Sequence, residues 1–404
     1  MTTSIRFMSY LTLTIGLSVT GQSMAQISDC SGQWQVFSQI PDNEGAFPDT
    51  HVSYFRYTFQ LPAERKIMFK VSGRYPRGRY MGFNIYNSVQ MDSKTGIADF
   101  EIEPDSGSEN PYRTGDADTA GSYTLWMNPH EPKIAQTPMV NDLTAATDDP
   151  TAKLNREIWY RIYAPSNGAG GSGEVDLPRV EAYDQSSGRP VACPTHVEIP
   201  VPKGSLDWSK LWTLPPGPRE DKSLHFVHHQ GMGLYANRDT HYVAARLPLR
   251  GSSDDVAIIK FRAPRVPSSM GDLGHPERAD VRYWSFCIGS AMVTTTSSCL
   301  SDGDAIVDEN GFVTIVIGKP AFRVLTSGVN FMNRPNAFLP MLIYRNLLTT
   351  DGFTGDIRTI PFWMARNPLT SIADDFAADK FIGDYAPVGL VCPSAEYQTT
   401  RCQH

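Results

Sequence analysis

Several patterns are missing from this sequence, and each absence narrows its function. No Cys-x-x-Cys pair is present, which removes a zinc ribbon and a thioredoxin-like redox site. No Gly-x-Ser-x-Gly elbow is present, which removes the usual α/β-hydrolase nucleophile. No apolar run reaches the roughly 20 residues a membrane-spanning helix requires. Basic clusters are absent too: 36 Lys and Arg stand against 43 Asp and Glu, a formal net charge of −7, which argues against nucleic acid as a partner. Helical periodicity is scarce, with only 141–156 and 372–381 readable as short helices.

What is present begins with a leader. Arg6 supplies a positive start, residues 10–19 are mostly apolar, and Ser23-Met24-Ala25 is a small-x-small cleavage site. This reads as a signal peptide over 1–25 and an exported chain, periplasmic or secreted, that starts near Gln26. Cysteine does not follow Ala25, so a lipid anchor is not expected. Export permits disulfides, and the six cysteines are even in number. Cys287 and Cys299 flank a Thr/Ser-rich turn, Cys392 and Cys402 bracket the C-terminal tail, and Cys30 is left to pair with Cys193.

The chain also repeats itself in one order, the signature of a duplicated architecture. Asp49-Thr50-His51 opens a run ending Leu61-Pro62, and Asp239-Thr240-His241 opens one ending Leu247-Pro248. Arg79 to Ile85 answers to Arg282 to Ile288, Tyr123 to Trp126 to Val313 to Val316, and Arg161-Ile162-Tyr163 to Leu342-Ile343-Tyr344. The repeated segments are short and rich in β-branched and aromatic residues, with turn clusters between them. Two homologous antiparallel β-sandwich domains of jelly-roll type follow, an all-β fold with few short helices. The expected boundaries are 26–199 and 224–404, joined by a Pro-rich linker over 200–223. The second half carries an insertion, 267–280, expected to be a loop.

Alternate residues of a strand share a face. Met81, Phe83 and Ile85, with their counterparts Trp284, Phe286 and Ile288, form core faces. Tyr80, Gly82, Asn84 and Tyr86 lie opposite, as do Tyr283, Ser285 and Cys287. Small residues between tyrosines make a shallow floor where Tyr80, Asn84 and Tyr86 are candidate ligand-binding residues. The competing expectation is that a loop or the other half covers this face.

Around these residues the chain resembles a group of uncharacterised exported bacterial proteins. The pattern is Arg-Tyr-Met/Trp-Gly/Ser-Phe at Arg79 to Phe83 and Arg282 to Phe286, then Trp159 to Pro165 and Leu177-Pro178-Arg179. More distantly it is similar to the bacterial domain of unknown function numbered 1214. The resemblance implies a duplicated β-sandwich and export, and carries no activity.

Chemistry-bearing clusters are sparse. His225, His228 and His229 would suit a metal on a helix, but on a strand His225 and His229 stand about 13 Å apart, too far for one ion. Asp302, Asp304, Asp308 and Asn310 resemble calcium-loop spacing without the closing glutamate, and a hairpin turn explains them as well. Glu101 and Glu103 alternate as a glycosidase pair would on one strand face. No resident metal or cofactor is predicted. His51 and His241 recur after Asp-Thr; each Asp-Thr caps a turn, or one histidine serves as acid or base. The expected function is binding of a small molecule or carbohydrate without identified catalysis. The alternative is a hydrolase or lyase with its site between the halves, using His51 or His241 with Arg79, Arg282 or Tyr283.

Overall fold

The computed structural model describes residues 28–37, 45–61, 66–87, 96–116, 121–129, 142–144, 155–199, 222–229, 235–248, 254–337, 339–363 and 373–402. Residues 1–25, expected to be a leader, and nearly all of 200–223, expected to be a linker, lie outside the described residues.

The first half contains β1 (Trp34–Val36), β2 (Val52–Gln60), β3 (Ile67–Arg74), β4 (Tyr80–Asn87), β5 (Gly96–Ala98), β6 (Ser122–Asn128), β7 (Asp142–Thr144), β8 (Asn155–Tyr163) and β9 (Arg179–Asp184). The second contains β10 (Ser223–Leu224), β11 (Val227–His229), β12 (Thr240–Arg246), β13 (Asp255–Arg262), β14 (Val281–Ser290), β15 (Thr295–Ser301), β16 (Phe312–Gly318), β17 (Asn330–Asn333), β18 (Pro340–Thr349), β19 (Phe362–Trp363) and β20 (Val388–Pro393). One sheet of the first half runs β1-β2-β8-β4-β5 and the other β7-β6-β3-β9; the second half repeats this as β15-β14-β18-β12-β11-β19 and β10-β20-β13-β16-β17. The shared order β2-β8-β4-β5 equals β12-β18-β14-β15, and β7-β6-β3-β9 equals β17-β16-β13-β20. The chain is all-β, two homologous sandwiches with few short helices.

Burial separates the layers. Along β3, Ile67, Phe69 and Val71 are buried while Met68, Lys70 and Ser72 are less so, the alternation of a sheet with one wet face. Along β2, eight of nine residues are buried. One face of β2 packs into the first core through Phe55, Tyr57 and Phe59. The other joins a cluster in which Tyr54, Tyr80, Tyr86, Trp159 and Tyr163 meet Tyr235, Tyr283 and Leu347 of the second half. The sheets containing β2 and β12 therefore lie back to back, and the molecule is four layers deep. Met81, Phe83 and Ile85 face the first core, and Trp284, Phe286 and Ile288 the second.

Disulfides join Cys30 to Cys193, Cys287 to Cys299 and Cys392 to Cys402. Three sequence readings need correction. The helix expected over 141–156 is strand at both described ends, in β7 and the start of β8, because both segments complete ladders. Glu101 lies in a 3-10 turn, Asp99–Glu101, so Glu101 and Glu103 do not share a strand face; they pair separately with Arg238 and Arg113. The insertion 267–280, expected to be a loop, carries two 3-10 turns, Met270–Gly274 and Pro276–Arg278. Its turn Met270–Gly274 places Leu273 in the first half's core.

Candidate functional site: the seam between the halves

The ladder registers define which residues are equivalent. Tyr80 and Tyr283 sit opposite Tyr163 and Leu347, and these sit opposite Val52 and Thr240. Arg161 therefore matches Arg345, and the segment before β2 matches the one before β12 with Phe47 on Tyr235 and Asp49 on Asn237. Two sequence matches shift. Arg161-Ile162-Tyr163 does not answer to Leu342-Ile343-Tyr344, since an odd offset would turn every side chain to the wrong face; Tyr344 is in the second core and Tyr163 in the seam. His51 aligns with Asp239, not with His241.

Reciprocal polar pairs close the seam. Arg79 donates to Asp302 at 2.7 Å, and the equivalent Arg282 donates to Asp99. Tyr80 donates to Asp239 at 2.7 Å, and Tyr283 donates to Asp49 at 3.1 Å. Each contact crosses between halves in both directions, the logic of an isologous interface written into one chain. The aspartate of each Asp-Thr-His segment receives the other half's tyrosine, although ladder register sets the two segments two residues apart.

The segments preceding β2 and β12 are exchanged arms. Phe47 and Tyr235 both adopt left-handed backbone, with φ of 49° and 54°. Such backbone is costly for a bulky residue and persists where the surroundings enforce it. Phe47 packs among Tyr242, Ala244, Met341 and Ile343, and Arg345 donates to its carbonyl at 2.5 Å. Tyr235 stacks on Trp159 at 4.4 Å, and Arg161 donates to its carbonyl at 2.9 Å. The Tyr235 hydroxyl donates to Glu157, which also receives Arg56 and the Trp159 indole N–H. Glu157 is thus a buried carboxylate with its lone pairs in use.

Between the arms lies a pocket of about 120 Å³. Phe37, Tyr54, Trp159, Tyr163 and Tyr242 give it aromatic walls, while Asn237, Thr240, Arg161 and Arg345 bring polar groups to it. Trp159 carries the Arg161 guanidinium 5.1 Å from its ring centroid. A mostly apolar, concave site with a few convergent polar groups is the usual form of a small-molecule site.

None of the sequence-derived candidates lines this pocket. Tyr80, Asn84 and Tyr86 are buried beneath it: Asn84 accepts from Arg161 at 2.5 Å, and Tyr86 accepts from Arg161 and donates to the Ala236 carbonyl. Arg79, Arg282 and Tyr283 are held in the seam pairs. His51 is part-exposed, with Nε2 at 2.8 Å from Asp304 and Nδ1 at 3.7 Å from Asp49. Burial opposes its charged form, yet its bond to Asp49 and the charges of Asp49 and Asp304 raise its pKa. His241 lies apart, its ring 6.3 Å from that of His228. Burial first, then the neighbouring His228 and Arg358, push its pKa down to about 4. His228 donates from Nδ1 to the Ile360 carbonyl at 2.7 Å, as a structural histidine does. Of the calcium-like acids, Asp302 and Asp304 are engaged in the seam and Asp308 accepts the Asn310 and Phe312 N–H groups of a turn. The cluster of Asp49 with Cys287 and Cys299 offers no thiolate, because those sulfurs are joined.

Sequence reasoning missed Arg161, Arg345, Phe47, Tyr235 and Glu157. A signal existed. Glu157, Trp159, Arg161 and Tyr163 share one face of β8 while Ile158, Tyr160 and Ile162 share the other, so a strand apolar on one side carries large aromatics between charges on its second side.

The fold and seam define a class, the duplicated β-sandwich closed by exchange of arms between its halves. Solved structures similar to it include an uncharacterised protein of Burkholderia cenocepacia, 10% identical, covering 90% of this chain and 83% of that one with a TM-score of 0.49, and a protein of Vibrio parahaemolyticus, 11% identical, covering 76% and 89% with a TM-score of 0.40. No family pattern and no curated protein matches the chain.

Proposed function

We propose that this is an exported protein, periplasmic or secreted, that binds a small molecule in the pocket between its halves. The observation that carries the reading is the pocket itself, where aromatic walls from both halves enclose convergent polar groups. Three disulfides fit an oxidising compartment. No helix among the described residues is long and apolar enough to cross a membrane.

The test is a thermal-shift screen of the disulfide-bonded protein against carbohydrates and small organic molecules. A ligand at a hundred times its Kd stabilises by about 2.7 kcal/mol, a readable rise in Tm. Ala244, on the pocket wall, replaced by Trp should abolish the response to any hit. If no compound shifts the melting point and Ala244→Trp itself melts higher, the pocket is a packing void and the reading fails.

A further inference from the structure

The two-fold relation of the seam breaks at its arginines. Arg345 has Asp49 at 3.5 Å, and also donates to the Cys287 sulfur at 2.9 Å. Arg161, its equivalent, has the Asn84 amide oxygen, the Tyr86 hydroxyl and the Tyr235 carbonyl. On the arm beside it, the residue matching Asp49 is Asn237, which lines the pocket. Among the described residues no carboxylate pairs with Arg161, although its side chain is buried. A buried cation held only by neutral dipoles is costly, and a carboxylate is the partner its planar fork fits best.

We propose that the pocket selects a ring-sized anionic ligand, a small aromatic carboxylate in kind, whose carboxylate is received by Arg161 while its ring lies among Tyr54, Trp159 and Tyr242. The proposal deepens the small-molecule reading and rests on it. The size follows from the cavity, since about 120 Å³ is close to the space that holds benzene in an apolar protein cavity of about 150 Å³. The walls match the ring, and the guanidinium, which has no carboxylate partner among the described residues, supplies the charge that a neutral sugar would not answer. The acid already on Arg345 leaves Arg161 as the anchoring side.

Benzoate and its neutral isostere benzamide are titrated calorimetrically into the disulfide-bonded protein. A charge-assisted bond in a desolvated site predicts that benzoate binds roughly ten- to a hundredfold more tightly. Arg161→Gln should erase that preference, and Arg161→Lys should keep part of it. The preference in the unaltered protein is read first, so it decides the matter even where a variant does not fold. Equal binding of the two probes overturns the anionic assignment and leaves the pocket as a binding site. A preference that survives Arg161→Gln undiminished removes Arg161 as the anchor and overturns the proposal as stated. Binding of neither probe at millimolar concentration overturns this proposal, while the broader reading stands or falls on the thermal-shift screen.

Discussion

The two halves share a sheet order and a set of reciprocal contacts, yet they solve two problems differently. The first half is stapled end to end by Cys30–Cys193, 163 residues apart, whereas the disulfides of the second half span only 12 and 10. The second half instead reaches across, placing Leu273 in the first half's core. At the seam, Asp49 gathers Tyr283, Ser285 at 2.5 Å, Arg345 and the His51 N–H, while Asp239 gathers Tyr80 and the part-exposed Arg238. Duplication supplied a symmetric scaffold, and divergence concentrated satisfied charge on one side and left the opposite arginine free of an acid. That asymmetry is the ground on which the pocket, rather than its counterpart on the other side of the seam, is proposed as the site.

The largest way to break this comparison is to cut the staples. In the loop-closure account, losing Cys30–Cys193 through a double Ser substitution costs roughly 5 kcal/mol and losing Cys392–Cys402 roughly 3 kcal/mol. Urea unfolding without reductant measures both. Equal losses would mean that the long closure constrains the unfolded chain no more than the short one does.

The seam aspartates come next. Burial raises the Asp49 carboxyl pKa, but the His51, Arg345 and Ser285 contacts more than offset it and bring it down to about 2. Asp49→Ala leaves the buried Arg345 guanidinium without its carboxylate and the Tyr283 and Ser285 hydroxyls without that acceptor, and should cost about 3–5 kcal/mol. Asp239→Ala leaves chiefly Tyr80, an expected cost of about 1–3 kcal/mol. Chemical denaturation of the two variants side by side gives the difference. A larger loss at Asp239 would reverse the assignment of Asp49 as the main polar centre of the seam.

How much of this was readable beforehand follows residue by residue. The alternation in Met81-Gly82-Phe83-Asn84-Ile85 announces a strand and its core face, and the cysteine spacings admit the pairs that form. The recurrence of Arg79-Tyr80 at Arg282-Tyr283 announces duplication. The contacts those residues make are between halves, however, and no local pattern says that Arg79 will find Asp302 or that Arg282 will find Asp99. The identity of Arg161 with Arg345 was hidden for a different reason. A two-residue match at Ile343-Tyr344 outcompetes the true alignment on letters alone, and only ladder register, with its period of two, separates them. The pocket was invisible because its walls come from strands far apart in the sequence and from two arms that each lie on the other half.

The smallest and finest distinction concerns the two histidines of the Asp-Thr-His repeat, whose pKa values move in opposite directions. His241 is depressed to about 4 by burial and by His228 and Arg358, with Asp356 opposing. Between its ordinary value of 6.5 and about 4, the unfolded chain takes up a proton that the folded chain refuses, so stability falls as pH drops through that window. His51 is raised, because Asp49 and Asp304 favour its charged form over the opposing effect of burial. Its contribution is complete below 6.5 and is lost as pH rises through the raised folded-state value. The two effects separate by difference. Subtracting the stability of His241→Gln from that of the unaltered protein should give a curve that declines on acidification from pH 6.5 to 4. The same subtraction for His51→Gln should give a curve that declines on moving to higher pH above 6.5. Both histidines are half-buried, so solvent screening damps both curves. Two curves of the same sign would show that the repeated motif places both histidines in one kind of environment, against the separate positions found for them at the seam and beside His228.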